Sequence, residues 1–216
     1  MLVGIPMYDG VDMLDVTGPY EMFSWAGLDV QLCAKQPGLV TCRGGLCVQV
    51  ATPFADAARF DVLWVPGGDP DALAREMGDP ERCYLDFLLQ QSVGARYVAS
   101  VCEGALLLAA AGLLDGYTVT THWAFIPCLA ERFPAVKVAA GHPRFCLDRD
   151  RMTGAGISAG LDEALELIQI LKGTEVAQSA QQTTQYYPRP PVTSEIPVAT
   201  SCPVPPVTIP PRKPAA

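Results

Sequence analysis

The nineteen residues from Arg96 to Leu114, RYVASVCEGALLLAAAGLL, change character at one point and without a spacer. Tyr97 to Val101 is a short, apolar, strand-like run, and Ala105 to Ala111 is a run of helix formers. Cys102 stands at the join. A strand that breaks directly into a helix must bend sharply there and hold one side chain over the first helical turn. The free backbone N–H groups and the positive end of the helix dipole lie at that place. A thiol so positioned is expected to have a lowered pKa and some thiolate at neutral pH, which is what a nucleophile requires.

The rest of the chain supplies elements of the same kind. Strands are predicted over residues 2–5, 29–34, 61–65, 118–121 and 136–139. Hairpins are predicted around Gly44-Gly45 and around Asp148-Arg-Asp. Helices are predicted from Thr17, with Thr17 as N-cap and Pro19 in the first turn, to Ala26, and over residues 79–93, 123–133 and 161–171. The last carries Ala164, Leu165, Ile168 and Leu171 on one stripe. The strands are apolar throughout rather than alternating, the mark of a mostly parallel sheet covered by helices on both faces. The expected fold class is therefore α/β, doubly wound. Sites in such folds form at the carboxyl ends of strands. Four turns fall there: the loop of Asp9, Asp12 and Asp15, then Pro66-Gly67-Gly68, Cys102-Glu103-Gly104 and Gly154-Ala-Gly-Ile-Ser158. They are expected to converge.

Composition narrows the function. Net charge is −8 with no basic cluster, which argues against a nucleic-acid partner. No apolar run reaches membrane-spanning length, and the N-terminus lacks a basic segment and a cleavage site, so a cytoplasmic, soluble protein is expected. The eight cysteines form no C-x-x-C pair, and only His122 and His142 are available beside them; a metal site is not expected. A core-rich chain of 216 residues has no need of disulfides, and most of the cysteines read as small core hydrophobes. Residues 1–187 form one domain. Residues 188–216 hold ten of the twenty prolines and form either a surface tail or an arm that wraps the domain or a neighbouring subunit.

Five stretches resemble the ThiJ/PfpI superfamily of class I glutamine-amidotransferase-like domains: Asp61-Val-Leu-Trp-Val-Pro-Gly-Gly68, Ala99-Ser-Val-Cys-Glu-Gly-Ala105, Ala110-Ala-Gly-Leu-Leu-Asp-Gly116, Thr120-Thr-His-Trp123 and Gly156-Ile-Ser-Ala-Gly-Leu-Asp162. Leu14-Asp-Val-Thr-Gly-Pro19 and Gln185-Tyr-Tyr-Pro-Arg-Pro-Pro191 are similar to its isonitrile hydratase branch. The former is also similar to the domain fused to DNA-binding regions in some transcriptional regulators. Such a regulator would carry a helix-turn-helix region where this chain has its proline-rich segment. The resemblance implies a flavodoxin-like α/β sandwich, a homodimer, and a cysteine nucleophile that works without metal or organic cofactor. Cys102 matches the nucleophile and Asp15 its acidic partner; the substrate implied is an isonitrile, hydrated to an N-substituted formamide.

That chemistry assigns roles residue by residue. An isonitrile needs a nucleophile and a proton at the same carbon. Cys102 would supply the first, through a thioimidate, unless it is only a buried core cysteine, and Asp15 the second, if burial raises its pKa and it is not simply a cap for the helix after it. Asp9 and Asp12 read as solvated loop acids. Backbone N–H groups of Gly68, Glu103 and Gly104 are expected to surround the reacting centre. Ile157 and Ser158 would line the pocket, unless Ser158 only caps the helix after it. His122 is either a base for Cys102 or a histidine packed beside Trp123. Glu103 departs from the family, where a small hydroxyl residue or a histidine follows the cysteine. Facing the sulfur it would oppose thiolate; helical geometry favours its pointing away. The rival readings are another Cys-dependent enzyme of glyoxalase or amidase type, and a small-molecule or redox sensor.

Overall fold

In a computed structural model of the chain, residues 1–212 can be described. The main sheet has seven strands. β1 (Leu2–Met7) pairs in parallel with β2 (Asp29–Ala34), and β2 with the short β5 (Thr52–Pro53). Between them in sequence, β3 (Gly38–Thr41) and β4 (Cys47–Val50) form the expected hairpin outside this sheet. On the other side of β1 lie β6 (Val62–Val65), β7 (Tyr97–Ser100) and β11 (Arg151–Gly154), all parallel, and β10 (Phe145–Asp148) closes that edge antiparallel to β11. The order is β10-β11-β7-β6-β1-β2-β5. β6 is buried along its whole length, which explains why its sequence does not alternate.

The helices are α1 (Met13–Trp25), α2 (Pro70–Gly78), α3 (Cys83–Ser92), α4 (Gly104–Ala110), α5 (Ile126–Arg132), α6 (Ala159–Lys172) and α7 (Thr174–Thr183). α2 and α7 have no counterpart among the sequence expectations. The small strands β8 (Thr118–Val119) and β9 (Lys137–Val138) pair with each other and stay outside the main sheet. α1 starts four residues before its expected cap. Asp12 N–H bonds to the Gly67 carbonyl at 3.0 Å and Val11 bridges to Gly68, so the turn begins at the sheet edge. Thr17 lies inside the helix and donates to the Met13 carbonyl at 3.0 Å. Asp15 therefore sits in the first turn of α1 and not in a loop. Trp64 of β6 fixes that turn to the sheet: it packs edge-on against Phe23, with centroids 5.5 Å apart, and its Nε1–H donates to the Asp15 carbonyl at 3.0 Å.

The cysteine expectation is corrected. Cys128 of α5 is bonded to Cys202 across a separation of 74 residues. The core does not require the link; it ties down a proline-rich segment that cannot hold itself by helix or ladder hydrogen bonds. Residues 188–212 indeed contain no helix or strand, yet they follow the domain surface as an arm, with Val204 buried. The remaining 213–216 lie outside the described residues. Among the described residues no helix is long and apolar enough to cross a membrane.

Candidate functional site

The four turns meet because β11, β7, β6 and β1 are neighbours and run the same way. Cys102 follows β7 at φ 57°, in the left-handed region, and is fully buried. A non-glycine residue held there is strained and persists only when its surroundings fix it. Here its N–H donates to the Ala155 carbonyl at 3.0 Å, and its carbonyl accepts from Thr121 Oγ1 at 2.7 Å. Ile157, on the loop between β11 and α6, also has positive φ, at 37°, and directs its N–H to the Cys102 sulfur. Two strained residues thus face each other across the Cys102 sulfur.

The approach is close enough to demand glycine. A Cβ at Gly67 would lie 2.4 Å from Glu103 Oε2, and one at Gly104 would lie 2.1 Å from the Val65 carbonyl oxygen. Those two positions let the β6 turn and the elbow touch.

Around the sulfur stand carboxylates. One atom each of Asp12, Asp15, Cys102 and Glu103 lie within 4.8 Å of one another, all buried. The spacing would admit a small cation among three carboxylates and a thiol. Asp15 Oδ2 accepts from Gly67 N–H at 2.9 Å, while Oδ1 is buried with no hydrogen-bond partner. Burial first, then the charges of Glu103 and Asp12, hold the Asp15 carboxyl well above its usual range and favour the neutral acid. Glu103 accepts from Gly68 N–H at 3.2 Å, and burial pushes its carboxyl up to about 7. Asp12 is raised by burial, against an ion pair with Arg43 at 3.6 Å.

Four expectations change. The Cys102 thiol is not lowered: burial, then the charges of Asp15 and Glu103, push it well up, and α4 is too short and its surroundings too acidic to offset that. Glu103 faces the sulfur, because the left-handed turn at Cys102 directs the next side chain back toward β6. Asp12 is 7 % exposed and belongs to the cluster. The expected ring of backbone donors is also occupied: Gly68 N–H serves Glu103 and Gly104 N–H serves the Val101 carbonyl at 3.0 Å.

Ile157 and Ser158 line a cavity of about 290 Å³ with Leu14, Thr121, His122 and Trp123. Ser158 is the residue before α6 but makes no capping bond; its Oγ accepts from Arg144 Nη1 at 3.2 Å. His122 stands in the cavity wall against Gly156, outside the carboxylate cluster. Its Nδ1 accepts from Ala124 N–H at 3.2 Å, and burial lowers its pKa, so it is a neutral ring tied to its own turn. Glu163 on α6 was missed. It is fully buried, both its carboxylate oxygens lack partners, and burial with the Asp15 charge raises its pKa strongly. Its position on the buried stripe with Gly160, Ala164 and Leu167 was the available signal.

A thiol on a strained strand-to-helix elbow, faced by buried carboxyls of raised pKa at the carboxyl edge of a mostly parallel sheet, marks a doubly wound α/β protein with a candidate site at its strand ends. The chain belongs to the DJ-1/PfpI family, whose model matches residues 1–170. It is 40% identical over 196 residues to an isonitrile hydratase of Pseudomonas putida, covering 90% of this chain and 82% of that one. The structure of a ThiJ/PfpI family protein from Pseudomonas syringae superposes with a TM-score of 0.81 at 36% identity, over 88% of this chain and 77% of that one. An HTH-type transcriptional regulator of Pseudomonas aeruginosa is 36% identical over 105 residues, which are 49% of this chain and 28% of the regulator.

Proposed function

We propose that the protein is an isonitrile hydratase, a cofactor-independent carbon–nitrogen lyase that adds water to R–NC and yields the formamide R–NH–CHO. The observation that carries this is Asp15: a buried carboxyl, raised in pKa, with a free Oδ1 beside a buried thiol. A neutral acid next to a nucleophile suits a substrate that must gain a proton and a sulfur at one carbon. The 40% identity to an isonitrile hydratase supports the same reading.

With the thiol pushed up, Cys102 needs a base at the moment of attack. Glu103, at about 7, is the carboxylate of the cluster poised to take that proton near neutrality. In the first half-reaction the Cys102 S–H proton passes to Glu103, sulfur bonds to the isonitrile carbon, and Asp15 gives its proton to the same carbon. The product is the thioimidate Cys–S–CH=N–R. In the second, the Asp15 carboxylate takes a proton from water as the water oxygen bonds to that carbon, and Glu103 protonates the nitrogen. The C–S bond then breaks, the hydroxyl proton returns to sulfur, and the formamide leaves. Ile157 N–H steadies the sulfur whenever it is anionic.

The inferred partner is therefore a small-molecule isonitrile and not a nucleic acid, the inferred assembly a homodimer, and the inferred setting the cytoplasm. That setting must accommodate the Cys128–Cys202 link, because disulfides persist best in oxidising compartments. The test is conversion of alkyl and aryl isonitriles to formamides by the purified protein. Cys102→Ala abolishes it and Asp15→Asn reduces it strongly. Turnover that survives Cys102→Ala contradicts the mechanism.

A further inference from the structure

The arm beyond α7 is pinned at both ends. At its start, Tyr186 Oη donates to Asp162 Oδ1 at 3.1 Å. At its far part, Cys202 is bonded to Cys128, Arg132 Nη1 donates to the Pro205 carbonyl at 3.2 Å, and Arg82 and Arg212 bond Pro210 and Ala111 carbonyls. Arg82 is 2 % exposed, so this anchor spends a buried cation on holding the arm. Between the pins, Pro188, Arg189 and Pro190 run beside Arg144 and Ser158, and Ile196 reaches the wall of the cavity that Thr121 and Ile157, both bonded to the buried Cys102, also line. Prolines at 188, 190, 191 and 197 stiffen the crossing, so that anchoring its ends also places its middle.

Ile196 completes an apolar rim. It is 54% exposed, and Leu14, on the first turn of α1, is 37% exposed and lines the same cavity, as do Trp123 and Ile157. Exposed aliphatic side chains converging on a cavity mouth gain most when an apolar group fills the space between them. Two of the polar groups that line the cavity are already engaged: Arg144 Nε donates to Asp162 Oδ2 at 2.7 Å, and His122 Nδ1 accepts within its own turn.

We infer that the disulfide-anchored arm is a wall of the substrate pocket, and that Ile196 with Leu14 selects isonitriles whose N-substituent is apolar and bulky. This rests on the hydratase reading of Cys102. The isonitrile carbon points to the sulfur, and the substituent lies outward between the arm and α1.

The experiment measures kcat/KM for methyl and cyclohexyl isocyanide in the wild type, in Ile196→Ala and in the Cys128→Ser/Cys202→Ser double variant, with thermal melts to show that each is folded. The cyclohexyl-to-methyl ratio falls about tenfold in Ile196→Ala, mainly through KM, and falls in the same direction when the anchor is removed. A ratio equal to wild type in both variants overturns the proposal. A second readout needs no isonitrile chemistry: the rates at which benzyl and methyl methanethiosulfonate modify Cys102, followed by peptide mass. If the wild type hydrates no isonitrile, the hydratase reading fails. The arm proposal still stands or falls on whether Ile196→Ala lowers the benzyl-to-methyl rate ratio.

Discussion

Glu103→Gln should make the protein more stable, and only at neutral and alkaline pH. Glu103 is 2 % exposed, and burial lifts its carboxyl from an ordinary 4.5 to about 7 in the folded protein. For an acid raised in this way, the folded state holds the proton over a window in which the unfolded state has lost it. Stability is therefore undiminished below about pH 4.5, falls as pH rises through the window, and carries the full penalty above about pH 7. At about 1.4 kcal/mol per pH unit, that gap corresponds to roughly 3 kcal/mol. Glutamine keeps an acceptor for Gly68 N–H and never ionises, so it removes the penalty; it also removes a charge that raises Asp15. Urea unfolding of both proteins between pH 4 and pH 8.5 gives the test. The two curves should nearly coincide at the acid end and separate toward about 3 kcal/mol at the alkaline end. A separation that does not change with pH, or a variant less stable at pH 8, would refute the assignment of a raised, buried carboxyl to Glu103.

Other consequences are simpler to state. Gly104→Ala places a methyl 2.1 Å from a backbone carbonyl that cannot move aside, so it should cost on the order of 3 kcal/mol by denaturation and dislodge Cys102. Breaking the Cys128–Cys202 link, which closes a span of 74 residues, should cost up to about 4 kcal/mol in the chain-entropy account, seen as a melting temperature lower by on the order of 10 °C. Glu163→Gln removes a buried, unpartnered carboxyl and should flatten part of the stability loss between acid and neutral pH, with the same sign as Glu103→Gln. In kcat/KM profiles, Glu103→Gln should lower the rate and abolish the rising limb near pH 7 that belongs to its deprotonation.

Much of this was legible in the sequence because periodicity reports burial. The apolar run Val62–Val65, the elbow at Cys102 and the glycine turns after the strands place the site at one sheet edge before any coordinates are known. What escaped depends on contacts between distant segments. Asp12 reads as a loop acid until Val11 and Gly67 draw its turn into the sheet. The helix-dipole rule predicts a lowered thiol pKa, but burial and the neighbouring Asp15 and Glu103 carboxylates outweigh a seven-residue helix. Glu103 was expected to point away by helical geometry; the left-handed residue before it reverses that direction. The pairing of Cys202 with Cys128 has no local signature, since only the path of the arm brings them together.

The central claim is a bond between Cys102 and the isonitrile carbon. Rapid acid quench of the protein during turnover, followed by intact and peptide mass measurement, tests it directly. The account predicts an adduct on the Cys102 peptide equal in mass to one whole isonitrile, since S–H adds across the carbon and nothing leaves, and predicts its absence in Cys102→Ala. Formamide produced at full rate with no adduct on Cys102, or with an adduct on another cysteine, would contradict it.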